Sequence, residues 1–184
     1  MKSLFHNKIR VLIGSIAIIF ILNIMGYLFN FKYISITKAL SEVNKYEVRS
    51  DLLMDALNEV GVFDPKEAAL LWGSGLKKRN AALQYAVMSS DLKKQYVKQL
   101  DETSPNWVTG MSSPWIDDYN IVNIKNINSN QLIINMRFIT KSSTGYDQAY
   151  TAKLTLKREN KFWRIIKIDM DQGLYPYTGF IYID

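Results

Sequence analysis

The chain predicts an α+β fold in which a single N-terminal transmembrane helix is followed by helices packed on a curved antiparallel four-stranded sheet. Three observations carry this expectation. Residues 11 to 31 hold no charged side chain. Apolar residues then recur at three-and-four spacing from about Ile36 to Leu100, and alternate with polar ones from about Tyr119 to Asp169. Helical periodicity followed by strand periodicity is the order of an α+β layer, in which an antiparallel sheet carries its helices on one face.

As a helix, the roughly 21 residues from Val11 to Phe31 rise about 1.5 Å each and span about 30 Å, the hydrocarbon thickness of a bilayer. The run exceeds the apolar region of about 7–15 residues in a secretion signal, and Gly26-Tyr27-Leu28-Phe29-Asn30-Phe31 supplies no Ala-x-Ala cleavage site. An uncleaved anchor in membrane lipid is therefore expected. The chain has no cysteine, which removes lipoprotein processing as well. Lys2, Lys8 and Arg10 precede the run without an acid, so the positive-inside bias makes residues 1–10 a cytoplasmic tail and puts everything after Lys32 outside. Asn23 offers either an interhelical hydrogen bond in a homo-oligomer or a single tolerated amide. A stalk over 32–49 and an extracytoplasmic domain over 50–184 complete the organisation.

The formal charge of +6 shrinks once it is divided. Four of the 23 basic residues, Lys2, Lys8, Arg10 and Lys32, lie in the first 32 positions, which leaves 19 against 17 acids in the rest. The excess is a topology feature, and a nucleic-acid partner is not expected. About 150 residues beyond the anchor suffice for one domain with its own core. Without cysteine, packing alone must hold that domain. Abundant Lys, Asn and Ile fit an AT-rich bacterial genome, and the cysteine-free exported domain fits a Gram-positive cell.

Ser50 precedes a helical stretch over Asp51–Val60, with Gly61 at the position that favours a helix C′ glycine. Asp64, Pro65 and Glu67 then form the clearest start in the chain: a cap, a first-turn proline and an acid three residues after the cap. The helix they open carries Ala68, Leu71, Trp72, Leu76, Leu83, Ala86 and Val87 on one stripe. Gly73 and Gly75 inside it cost about 1 kcal/mol each relative to Ala, so the helix bends there or another backbone comes close. Ser89 or Ser90 caps a further helix over Asp91–Val97, and Asp101–Trp115 is a crossing loop. Strands over 119–127, 131–141, 148–158 and 161–169, separated by Asn128-Ser129-Asn130, Ser142–Tyr146 and Glu159-Asn160, make an antiparallel meander.

This order resembles the cone-shaped, cystatin-like superfamily of nuclear transport factor two and ketosteroid isomerase. The segment Ala68–Ser89 is similar to the long helix of membrane-anchored extracytoplasmic domains of that kind in Gram-positive bacteria, many without assigned function. The resemblance covers about residues 50 to 170 and implies a fold more than an activity. The layout of short tail, one anchor and one external domain also resembles the bitopic assembly factors of type IV secretion and conjugation channels, although no motif selects them.

His6, the one histidine, lies on the tail, so thiol, Ser-His and ordinary zinc chemistry have no residues outside. Asp169-Met170-Asp171 with Gly173 is a faint echo of a calcium loop, for which a solvated turn is the simpler account. Gly73-Ser74-Gly75 follows no strand and is no phosphate loop. No cofactor or metal is expected. The isomerase resemblance implies a carboxylate and a phenol in one cavity, for which Asp117, Asp118, Tyr85 and Tyr119 are available. Arg79 follows Trp72 by seven residues and Leu76 by three, which puts a guanidinium beside the apolar stripe. There it is either paired to a carboxylate or carbonyl or faces an anionic ligand, with Trp72, Gln84 and Tyr85 as further candidate lining. The apolar tail Gly173–Asp184 either packs back on the domain or pairs with a partner's sheet edge. The function expected is a membrane-tethered binding or scaffolding domain without catalysis, for an unidentified protein or small molecule. A secretion-channel assembly component and a carboxylate/tyrosine enzyme of the isomerase type are the alternatives.

Overall fold

The computed structural model describes residues 22–28 and 45–179. The chain divides into two units, Met1–Leu53 and Met54–Asp184. In the first, residues 22–28 are helical, with the side chains of Leu22, Met25 and Tyr27 exposed, and Lys45 and Arg49 stack over the Tyr46 ring at 5.9 and 5.6 Å. The expected tail and most of the expected anchor and stalk lie outside the described residues. Among the described residues no helix is long and apolar enough to cross a membrane.

Among the described residues from 45 onward, four helices precede the sheet: α1 (45–59), α2 (Pro65–Lys77), α3 (Ala81–Ala86) and α4 (Ser90–Thr103). Asp64 caps α2 by accepting from the Lys66 amide at 2.8 Å, with Pro65 in the first turn. The single long helix expected after Asp64 is in fact two. Asn80 accepts from the amides of Ala82 and Leu83, at 2.9 and 3.3 Å, and so starts α3 afresh, while Arg79 turns the chain through the left-handed region with φ 57°. The Asn80 side chain competes with helix continuation because its oxygen satisfies two first-turn amides of the new helix, which lack carbonyl partners within that helix. Ser89 caps α4 through the Leu92 amide, and α4 runs to Thr103, six residues beyond the expected end.

Strands β1 (Trp115–Asn128), β2 (Gln131–Ser142), β3 (Gly145–Glu159) and β4 (Phe162–Met170) form the expected antiparallel meander, in sequence order across the sheet. β1 starts four residues earlier than the alternation indicates, because bulges between Ile116 and Asp118 and between Ile121 and Asn123 break its period of two. The turn residues act as expected: Asn128 Oδ1 accepts from the Asn130 amide at 2.9 Å, and Asn160 takes φ 55°.

One face of the sheet is the core wall. Ile134, Met136 and Phe138 of β2, Ala152, Leu154 and Leu156 of β3, and Ile165 and Ile168 of β4 are buried with Ala68, Trp72 and Leu76 of α2 and Leu92, Tyr96 and Leu100 of α4. Each such aliphatic contributes about 1.5–3 kcal/mol by leaving water. The tail closes the same core: a short α5 (Tyr175–Thr178) buries Tyr177, whose hydroxyl donates to the Pro114 carbonyl at 2.9 Å, and Tyr96 donates to the Thr178 carbonyl at 3.0 Å. Residues 180–184 of the expected tail lie outside the described residues.

The outer edge of β4 is closed by backbone. The Trp163 amide donates to Val62 at 2.9 Å, the Ile165 amide to Val87 at 2.8 Å, and the Ser89 amide to Ile165 at 2.9 Å. These three bonds bring the end of α1 and the α3–α4 junction beside Arg164.

Gly73 and Gly75 answer the question their positions raise. α2 continues through both; a Cβ at Gly73 would sit 2.6 Å from the Tyr119 ring, and one at Gly75 would meet Gln84 and the Asn80 carbonyl. Gly73→Ala therefore trades about 1 kcal/mol of helix propensity for an overpacking cost of about 1–3 kcal/mol. Thermal unfolding of this variant is expected a few degrees below that of the parent, and an unchanged or higher midpoint would contradict the close packing of α2 on Tyr119.

Candidate functional site

Two cations are buried where the closed edge of β4 meets the helices. Arg164, 8% exposed, donates from one terminal nitrogen to the Ala86 carbonyl at 2.6 Å and from the other to the carbonyls of Val60 and Asn58 at 2.7 and 3.4 Å. These carbonyls follow from where α1 and α3 stop, since the last turn of a helix leaves acceptors without intrahelical donors. Lys93, 6% exposed, donates to the Leu57 carbonyl at 3.1 Å and to Asn58 Oδ1 at 3.0 Å. Its ammonium lies 4.5 Å from the centre of the Tyr85 ring, and the Tyr85 hydroxyl donates to the same Asn58 Oδ1 at 2.9 Å.

Among the described residues neither cation forms an ion pair with a carboxylate. Burial, reinforced by the neighbouring Arg164 charge, pushes the Lys93 ammonium down to about 8. Burial likewise lowers Arg164, against the opposing pull of Glu159. The Tyr85 phenol is raised, chiefly by burial, against the hydrogen bond to Asn58. These groups open onto a cleft of about 760 Å³, whose wall also includes Met88, Lys94, Val97 and Lys98.

Of the four residues singled out by sequence, only Tyr85 lines this cleft. Trp72 is fully buried in the core, edge-on to Phe138 at 5.7 Å. Arg79 and Gln84 do come together, but around Thr109: Arg79 Nε donates to its carbonyl at 3.1 Å and Gln84 Nε2 to its hydroxyl at 3.2 Å. Arg79 thus follows the carbonyl-pairing branch of the expectation, and its exposed guanidinium ties the loop before β1 to the α2–α3 turn. Gln84 is fully buried and also donates to the Tyr177 carbonyl at 3.3 Å. Asp117 pairs with Lys141 at 2.8 Å, Asp118 is exposed, and Tyr119 stacks on Phe138. The Tyr85 hydroxyl is instead spent on Asn58. Asp169 pairs with Lys153 at 2.6 Å, and Asp171 accepts from the Thr151 amide and hydroxyl at 2.6 and 3.0 Å, so the turn acidic residues serve the sheet.

Sequence reasoning passed over Lys93 and Arg164. A trace of Lys93 was present: Ser89, Leu92, Tyr96 and Leu100 mark the inner face of α4, and position 93 follows 89 by four and precedes 96 by three, on that same face. Nothing comparable marks Arg164, whose acceptors lie some 80 to 100 positions upstream.

The lowered Lys93 value fixes a pH dependence. The folded chain holds this proton less tightly than the unfolded chain, whose value is near 10.5, so the unfolded state binds more protons between about pH 8 and 10.5. The Lys93 contribution to stability therefore rises with pH across that window, by an amount on the order of 2–3 kcal/mol in full. The buried tyrosines act in the opposite sense above about pH 10. A ¹⁵N titration of the Lys93 side chain is expected to give a midpoint near 8, and Lys93→Met is expected to flatten the rise in stability up to pH 9.5. A midpoint above 10 would contradict the burial of the charge.

No protein-family model matches the chain, and no curated protein does so significantly. Solved structures similar to it include an NTF-2-like protein of unknown function from Shewanella oneidensis MR-1, at 10% identity, covering 56% of this chain and 93% of that one with a TM-score of 0.44. The intermembrane space region of the chloroplast protein ARC6 is similar at 10% identity, over 59% and 97%, with a TM-score of 0.35. A cystatin-like-fold protein of unknown function from Nostoc punctiforme PCC 73102 is similar at 15% identity, over 58% and 88%, with a TM-score of 0.36.

Proposed function

We propose that this chain is a membrane-tethered extracytoplasmic binding domain that works by holding a ligand, not by transforming one. The observation that carries the binding reading is the cleft of about 760 Å³ beside Lys93, Arg164 and Tyr85. Its size falls within the roughly 300–1,000 Å³ of small-molecule sites. Two cations without an ion-paired carboxylate among the described residues are costly to bury, and a ligand would share that cost. The tether rests on the uncharged run from Val11 to Phe31 and on the exposed apolar side chains of Leu22, Met25 and Leu28. Pairing of Asp117 with Lys141, and of Tyr85 with Asn58, leaves the carboxylate/phenol enzyme reading without supporting geometry.

Two measurements test the two parts. The chain lacks cysteine, so a single introduced thiol reports its own location. Ser143→Cys, in the exposed β2–β3 turn, is expected to react with a membrane-impermeant maleimide on intact cells, and Ser3→Cys only after permeabilisation. The reverse pattern, or recovery of the chain in the soluble fraction, would overturn the tether and its orientation. For binding, neutral, cationic and anionic small molecules are screened against the full chain in detergent with ¹³C-labelled methionine methyls. The Met88 methyl is expected to shift with at least one class, and no response to any class would overturn the binding reading.

A further inference from the structure

The lining of the cleft says more about its occupant than its volume does. Four basic side chains, Lys93, Lys94, Lys98 and Arg164, face two acidic ones, Glu59 and Asp101. Lys94 is spread along the exposed surface, with its one ion pair to Asp91 at 3.9 Å. Lys94 and Lys98 stand four residues apart on α4, so both ammonium groups project over the same turn of the helix. Arg164 commits three of its five donors to backbone carbonyls and is held in place by them. Lys93 is more deeply placed: its ammonium has three donors, and the Leu57 carbonyl and Asn58 Oδ1 take two. The third N–H has only the face of the Tyr85 ring, whose centre lies 4.5 Å from the nitrogen, and no oxygen acceptor among the described residues, on a cation buried at the cleft wall. Met88, Val97 and the Tyr85 ring supply an apolar flank beside it.

Resting on the reading of this cleft as a binding site, we propose that it selects an oxyanion: a small molecule bearing a phosphate or carboxylate group on a compact apolar body. The charged group takes the remaining Lys93 donor within the field of Lys98 and Arg164, and the apolar body lies against Met88 and Val97. A cationic ligand would add a third positive charge to two that are already short of water, and a neutral one would leave the Lys93 donor unanswered.

Phenyl phosphate, benzoate and benzyl alcohol share one ring and differ in charge, so they separate the contributions. They are titrated into the full chain in detergent while the Met88 methyl is followed. Phenyl phosphate and benzoate are expected to bind at least about tenfold more tightly than benzyl alcohol. Their relative order identifies phosphate or carboxylate as the preferred group. The double variant Lys94→Glu, Lys98→Glu, both positions exposed, is expected to weaken the better anion by about tenfold with an unchanged melting temperature. Lys93→Met, which keeps the aliphatic stem, is expected to weaken it at least as much. Equal affinity for benzyl alcohol, or undiminished anion binding in both variants, would overturn the oxyanion assignment and leave the binding reading standing. Absence of a Met88 response to all three probes would overturn the oxyanion assignment, and the broader screen then decides the binding reading separately.

Discussion

Unanswered carbonyls at the ends of α1 and α3 are the constraint around which this domain is arranged. Helix α1 stops at 59 and α3 at Ala86, and each stop leaves carbonyls without intrahelical donors. Arg164 answers three of them, at Ala86, Val60 and Asn58, from a strand that follows β3 by a two-residue turn. Leaving a buried acceptor such as the Ala86 carbonyl unpaired costs about 1–3 kcal/mol, a sizeable share of the roughly 5–15 kcal/mol that holds a domain together. A guanidinium suits the task because it offers five donors in a rigid plane and accepts nothing. Lysine at 164 would reach one or two of these carbonyls and leave the junction of α1, α3 and β4 incompletely tied.

Lys93 follows from the same constraint. Its partner carbonyl, Leu57, belongs to the last turn of α1, where the helix dipole presents partial negative charge. That partial charge, the Asn58 amide oxygen and the Tyr85 ring hold the ammonium without a carboxylate. The support is weaker than a full counter-charge, which is why burial still pulls the proton affinity down. The cations in the cleft wall thus arise from the way helix ends are satisfied, and the same hydrogen bonds hold them in place. Rigid placement is what a binding group needs, since little ordering is left to be done when a ligand arrives.

Local chemistry made much of the fold legible. Asp64-Pro65 starts α2, Ser89 starts α4, and the alternation from Leu132 to Phe138 and from Ala152 to Leu156 gives two central strands and their inner face. Reading failed where two local rules competed. Around Lys78–Asn80 the apolar stripe favours one long helix, yet Asn80 prefers to cap, and only the loop that donates Trp107 and Thr109 backbone to this turn decides between them. Arg79 looked like a site residue because it flanks the stripe of a continuous helix; once the helix breaks, the same guanidinium faces the Thr109 carbonyl instead. Trp72 and Gln84 were read from the correct face of their helices, but that face is core. The cleft was illegible because its cations are set by contacts far apart in the chain, and a lysine inside Leu92-Lys93-Lys94-Gln95 reads as solvated until its neighbours are known.

Division of labour between the two buried cations explains how a ligand can bind without loosening the fold. An anion competing for the three Arg164 donors already engaged would have to displace backbone carbonyls that tie three segments, and would lose what it gained. The free donor on Lys93 carries no such penalty, because its other two bonds persist. Lys94 and Lys98 contribute differently: they are exposed, so their attraction is long-ranged at low salt and fades within a Debye length of about 8–10 Å at physiological ionic strength. Attraction toward the cleft therefore depends on salt, while retention at Lys93, shielded from solvent, depends on it far less. In the proposed site, capture and holding would fall to different residues of one helix, and the helix ends that the cations satisfy would also keep the holding group in place.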